Sequence, residues 1–207
     1  MRRITVTADS PEPEAIAAAA EVLCRGGVVA FPTDTLYGLA VDPRRDDAVE
    51  ALFTLKGRRA DAALPLVAGS TAAARAAGQF GASELRLAAA FWPGPLSIVV
   101  PALAIVSRAA RAADGSVAIR VPAHAVARAL ASALGFAITA TSANASGSAP
   151  AESADDVARH LGGVDLLLDA GPAPGGLPST IVSLAGGAPV LVRAGAIAWE
   201  RVLKSLQ

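Results

Sequence analysis

The sequence predicts an α/β fold, an open twisted mixed sheet with flanking helices. Three observations predict it. Short apolar runs alternate along the chain with amphipathic stretches at helical spacing, which is the pattern of strands interleaved with helices. The 19 glycines and 14 prolines are scattered between those stretches and are not gathered in a linker, so one domain spans residues 1–207. The last two apolar runs are joined by Gly186-Gly187, a turn suited to an antiparallel hairpin.

Taken in order, residues 4–7 read as a strand and residues 11–25 as a helix stopped by Gly26-Gly27. Residues 28–31 form a short β-branched run, as a buried strand requires. Residues 46–56 carry Val49, Leu52 and Phe53 at helical spacing with basic residues at the end, so they predict a helix. Further strands are expected at 64–68, 96–100, 117–121, 136–141, 164–168, 179–184 and 190–193. Further helices are expected at 71–77, 83–92, 124–134, 153–161 and 199–206.

A chain of 207 residues fits one domain and can bury roughly 70% of its unfolded surface, so it needs no staples to hold a core. Aromatic residues are only 4% of the chain, so Val, Leu, Ile and Ala build that core. Lys plus Arg and Asp plus Glu number 18 each, which argues against a protein whose main task is gripping nucleic acid. The single Cys24 excludes an intrachain disulfide and any cysteine-based metal cluster, and fits a reducing, cytoplasmic setting. Cys24 itself is expected to pack on the apolar side of the first helix. The acidic residues Asp9, Glu12, Glu14 and Glu21 interrupt any leader-like apolar region. The longest apolar run, 96–106, contains Ser97 and Pro101 and falls short of the roughly 18 residues a membrane span needs. No membrane association and no protein-held metal are expected. His124 and His160 have no partner pattern for zinc or for a Ser-His-Asp triad.

The polar residues that follow apolar runs carry the chemistry. Phe31-Pro32-Thr33-Asp34-Thr35-Leu36-Tyr37-Gly38-Leu39 follows a predicted strand, where ligands tend to sit in open α/β sheets. The same residues suit a plain turn, with Pro32 fixing φ and Asp34 bonding its own backbone. Lys56-Gly57-Arg58-Arg59 could hold a polyphosphate, with forked arginine hydrogen bonds beside a lysine point charge. Equally, cations there stabilise the negative end of the preceding helix. Thr139-Ala140-Thr141-Ser142-Ala143-Asn144-Ala145-Ser146-Gly147-Ser148-Ala149-Pro150 offers hydroxyls and an amide among small residues that let a ligand approach the backbone. It has neither a Walker lysine nor a Gly-x-Gly-x-x-Gly fingerprint, and a Ser/Gly turn is its plain alternative. Arg120 ends the otherwise apolar Ser116-Val117-Ala118-Ile119-Arg120 and needs an anionic partner or an exit to solvent. Pro178-Ser179-Thr180 and Val192-Arg193-Ala194-Gly195 add further polar groups.

In this order the segments resemble the YrdC-like L-threonylcarbamoyladenylate synthases, from about Ala15 to Gly195. The resemblance rests on Pro-Thr-Asp-Thr-x-Tyr-Gly-Leu, the Lys-x-Arg and Ser-x-Asn pairs, Phe91-Trp92-Pro93-Gly94-Pro95-Leu96 and the terminal Arg-x-Gly. It implies the single-domain form of the family's fold, with a concave, positively charged cleft. It implies that L-threonine, bicarbonate and ATP, with Mg²⁺ carried by ATP, are joined into threonylcarbamoyl-adenylate and pyrophosphate. A partner transferase complex would then modify tRNA; direct contact with tRNA or another RNA is the weaker expectation. The resemblance puts Thr35, Arg120, Ser179 and the Ala140 backbone near threonine. It puts Arg58, Ser116, Ser142, Pro150 and Arg193 near ATP. Lys56 and Asn144 join Arg58 and Ser142 in the candidate catalytic set, and Thr33 and Tyr37 shape the pocket. The sequence departs from the family at Arg59-Ala60-Asp61-Ala62-Ala63, where Pro-x-Asp and Asn-Pro or Lys-Pro are usual, and at Val67, where some relatives carry a threonine-contacting His. The competing functions are an RNA-binding or ribosome-maturation module using the same cleft and a carbamoyl-transferring relative.

Overall fold

The computed structural model describes residues 1–57 and 63–207. The chain opens with β1 (Arg2–Thr5), α1 (Pro13–Cys24), β2 (Val29–Pro32), β3 (Tyr37–Ala40) and α2 (Asp46–Lys56). It continues through β4 (Leu66–Val67), α3 (Thr71–Ala77), α4 (Ala82–Phe91), β5 (Leu96–Pro101), a single 3-10 turn (Arg108–Ala110), β6 (Ser116–Arg120) and α5 (Ala125–Leu134). β7 (Ile138–Thr139), β8 (Thr141–Ser142), α6 (Ala154–His160), β9 (Leu166–Asp169), β10 (Thr180–Ser183), β11 (Val190–Arg193) and α7 (Trp199–Lys204) complete it.

The class is α/β and the pairing is mixed, but it is divided over two sheets. One has the order β1-β9-β2-β3-β8, the other β11-β10-β5-β6-β4-β7. In the first, β9 runs parallel to β1 and β2, while β3 is antiparallel to β2 and β8. In the second, β10 is parallel to β5 and β4 is parallel to β6, and the remaining pairs are antiparallel. The expected hairpin of 179–184 and 190–193 is the antiparallel β10–β11 pair.

The helices form where their ends are satisfied. Asp46 and Asp47 lie in the first turn of α2, and Gly57 closes it in the left-handed conformation at φ 56°. In α6 the Ser153 hydroxyl accepts from the Asp156 N–H, and the Asp156 side chain accepts in return from the Ser153 backbone. α1 and α5 pack together over one apolar cluster, which takes Val29 and Phe31 of β2 and Leu166 and Leu168 of β9. Ala30 and Leu167, one residue out of phase, point into the larger cluster on the other side. The first sheet is thus covered on both faces, as its nearly continuous apolar strands require. Cys24 departs from its expected place in the core and is exposed, because α1 buries Ala15, Ile16, Ala19, Ala20 and Leu23, and Cys24 falls off that stripe.

Two further differences shape the cleft. β3 forms where the sequence reads as a loop: Tyr-Gly-Leu-Ala has no β-branched residue, and pairing with both β2 and β8 supplies what propensity lacks. The stretch 136–141, expected as one strand, splits at Ala140. β7 joins β4 in the six-stranded sheet and β8 joins β3 in the five-stranded one. The buried Thr139 hydroxyl accepts from the Val41 N–H at 2.9 Å, and the Ala140 N–H donates to the Pro65 carbonyl at 2.8 Å, so the chain crosses between sheets with its polar groups paired.

Candidate active site

A cleft of about 640 Å³ lies against one face of the six-stranded sheet. Strand side chains alternate between faces, so each strand divides its residues. In β5, Leu96, Ile98 and Val100 enter the core while Ser97 and Val99 line the cleft. In β6, Ile119 goes inward while Ser116, Ala118 and Arg120 line it. β10 repeats the pattern, with Val182 inward and Ile181 and Ser183 lining. The five-stranded sheet supplies the facing wall through Thr33 and Thr35 in the β2–β3 turn, Tyr37, and Thr141 and Ser142 of β8, with Ala140 at the crossover.

Arg120 dominates the electrostatics. It is 7% exposed, and its side chain makes no hydrogen bond among the described residues. Among the described residues its counter-charge is Asp34, 3.6 Å from one terminal nitrogen. Burial pushes its pKa below the ordinary arginine value, Asp34 opposes the shift, and repulsion from Arg193 adds to it. Two cations thus bear on the same cavity. A buried guanidinium with open donors on a cleft wall is a receptor for a carboxylate or phosphate.

Arg193 and Ser179 close one end. The guanidinium donates to the Ser179 carbonyl through Nε at 3.1 Å and Nη2 at 2.7 Å, and to the Ser179 hydroxyl at 2.9 Å. That hydroxyl lies 3.0 Å from Ser97 Oγ. Gly195, two residues beyond, explains the Arg-x-Gly wording: a Cβ there would stand 2.2 Å from the Pro178 carbonyl oxygen and 2.5 Å from the Thr180 nitrogen. Only glycine lets this segment lie against the backbone that presents Ser179.

In the β2–β3 turn, Thr33 spends its hydroxyl locally, donating to the Leu36 carbonyl at 2.7 Å. Asp34 does not bond its own backbone, as turn chemistry suggests it would. Its carboxylate accepts from the Ala123 N–H at 3.0 Å and the His124 N–H at 2.6 Å, at the start of α5. Tyr37 is fully buried, and its hydroxyl donates to the Gly171 carbonyl at 2.6 Å while accepting from the Ala170 N–H at 3.2 Å. Burial pushes its pKa up to about 12.

The candidate catalytic residues divide. The Ser142 hydroxyl lines the cleft and donates to Asn144 Oδ1 at 2.5 Å. Lys56 and Asn144 do not line it. The Lys56 ammonium is buried beneath residues 142–144 and donates to the Ser142 carbonyl at 2.5 Å, the Asn144 carbonyl at 2.8 Å and Asn144 Oδ1 at 3.2 Å. Pro150 is exposed on the loop beyond and does not line the cleft, and Arg58 and Arg59 lie outside the described residues. Val67 lines the cleft in parallel register with Arg120, so an apolar side chain borders the buried cation. Sequence reasoning put Asp34 in a loop suited to ligands without its partners, and met Ser97 only as a break in an apolar run. Ser97 had one signal, a hydroxyl out of phase with Leu96, Ile98 and Val100. The partners of Asp34 had none, because they are about ninety residues away.

The Sua5_yciO_yrdC family model, described as "Telomere recombination", matches residues 21–195. The chain is 36% identical over 188 residues to the threonylcarbamoyl-AMP synthase of Pyrococcus abyssi, covering 90% of this chain and 55% of that protein. It is 43% identical over 145 residues to the threonylcarbamoyl-AMP synthase of Halorhodospira halophila, covering 70% and 76% respectively. Among solved structures it is similar to P. abyssi Sua5 complexed with L-threonine, with a TM-score of 0.92, 35% identity, and coverage of 99% of this chain and 61% of that one. The chain therefore spans little more than half the length of the P. abyssi relative.

Proposed function

From the premise that the chain belongs to the Sua5/YciO/YrdC family, we propose that it is an L-threonylcarbamoyladenylate synthase acting for tRNA threonylcarbamoyladenosine modification. The observation that carries this reading is Arg120, a buried guanidinium whose open donors line a cleft of hydroxyls. In this reading Arg120 pairs with the threonine carboxylate, and Thr35, Ser179 and the Ala140 backbone border the amino acid. Arg193, Ser116 and Ser142 face the nucleotide, and Lys56 acts from behind by holding the residue 142–144 backbone in place.

The neutral amine of threonine attacks the carbon of bicarbonate, an N–C bond forms, and hydroxide leaves as water after proton transfer. The resulting carbamate oxygen attacks the α-phosphorus of ATP, and the bond to pyrophosphate breaks. The protein's share is orientation and charge neutralisation, which suits phosphorus chemistry. Mg²⁺ enters this reading carried on the triphosphate. A transferase complex as the consumer of the product, and the cytoplasm as the place of action, belong to the same proposal. Among the described residues no helix is long and apolar enough to cross a membrane.

The test is to incubate the purified protein with ATP, Mg²⁺, bicarbonate and threonine and to follow the mixed anhydride by mass spectrometry, omitting each reactant in turn. The expected product needs all of them. Pyrophosphate release that ignores threonine would overturn the assignment.

A further inference from the structure

We propose that Asp34 is the positioning residue of the amino-acid subsite, fixing Arg120 and the β2–β3 turn against the start of α5 so that both address one ligand carboxylate. The inference rests on the reading of the cleft given above and adds a role to a residue outside the cleft lining.

Three observations support it. First, both carboxylate oxygens of Asp34 are engaged by consecutive backbone N–H groups, Oδ2 by Ala123 and Oδ1 by His124. Such charge-assisted bonds at the positive end of a ten-residue helix hold the carboxylate firmly. Second, the turn belongs to the five-stranded sheet while β6, which carries Arg120 and leads into α5, belongs to the six-stranded one. Asp34 therefore ties the two walls of the cleft together beside Arg120. Third, the Arg120 side chain makes no hydrogen bond among the described residues, so the Asp34 carboxylate 3.6 Å away is what restrains a buried guanidinium. A buried cation needs a counter-charge, and a counter-charge behind it leaves the donors on the cleft side open. Thr35 is the residue next to Asp34 and lines the same cleft. One carboxylate thus sets the position of two groups proposed to meet threonine.

The full chain is compared with the Asp34→Asn variant, which keeps the volume and one acceptor oxygen but loses the charge. Asp34→Glu, which keeps the charge but displaces it by one methylene, is read in the same way. Threonine binding is measured by calorimetry, and KM for threonine and for ATP by pyrophosphate release. The expected result is a loss of threonine affinity of about tenfold or more, with the KM for ATP within about twofold of the parent. A merely structural role would weaken both substrates together, and that result overturns the proposal. Threonine binding that is unchanged or tighter in Asp34→Asn also overturns it, since Asp34 would then only compete for Arg120. If Asp34→Asn does not fold, the Asp34→Glu comparison decides in the same terms. A parent chain that binds no threonine removes the reading of the cleft and this inference with it, whereas a parent that binds and variants that bind equally well remove the inference alone.

Discussion

Lys56 is buried, and among the described residues its ammonium donates to the Ser142 carbonyl, the Asn144 carbonyl and Asn144 Oδ1. Replacing it with Met would remove one donor each from the Ser142 carbonyl, the Asn144 carbonyl and Asn144 Oδ1, of which the first and last keep a second donor in the Asn144 N–H and the Ser142 hydroxyl. The expected loss is about 1–3 kcal/mol; denaturant unfolding would detect it, and an unchanged midpoint would refute the assignment. Tyr37 makes a second test at this scale. Its hydroxyl is paired at both ends, so Tyr37→Phe should cost about 1–2 kcal/mol. The pH dependence follows from its raised pKa. An unfolded tyrosine ionises near pH 10, the folded one at about 12 because burial opposes its charge. In that window the unfolded chain releases a proton that the folded chain retains, so this contribution is complete below about pH 10 and is lost as pH rises toward 12. Melting curves across the window should fall more steeply for the parent than for Tyr37→Phe. The sequence singled out Thr35, Arg120, Ser179 and Arg193, and all four line the cleft. It could not signal that Lys56 turns inward, because a lysine at a helix end has the same spelling whether it meets solvent, phosphate or loop carbonyls.

Among the elements, helices were legible because their signals are local. The predicted 46–56 and 71–77 match α2 and α3, with an acidic first turn and a left-handed glycine marking the ends of α2 and a serine cap opening α3. The Ser153 capping box makes this checkable: Ser153→Ala should destabilise the chain by about 1 kcal/mol, as read by thermal melting. Strands were less legible where they are short and depend on distant partners. β3 owes its existence to β2 and β8, and the break at Ala140 owes its place to bonds with Val41 and Pro65. The β10–β11 end of the sheet yields a sharper prediction. Gly195→Ala would drive a Cβ into backbone atoms of residues 178–180, and backbone cannot give as a flexible side chain does. The expected result is a loss of about 2 kcal/mol or more, together with reduced turnover because Ser179 and Arg193 share that backbone. Parent-like melting and activity would contradict it.

For the molecule as a whole, ligand occupancy should be visible as stability. Threonine at a hundred times its Kd would stabilise the folded chain by about 2.7 kcal/mol, raising Tm by about 5–11 °C for a chain of this size. Arg120→Ala should abolish that shift; a shift retained in the variant would move the carboxylate contact elsewhere. By itself the sequence determined the α/β class, most helices, the terminal hairpin and part of the cleft's polar lining, Thr35, Ser116, Arg120, Ser142, Ser179 and Arg193, since periodicity, caps and motif wording are written within a few residues. Only the tertiary structure decided that two sheets share the strands, that Asp34 reaches α5 and that Lys56 faces a loop. Those outcomes depend on pairing and burial between residues about ninety positions apart, and no local pattern encodes which distant donor a carboxylate or ammonium will find.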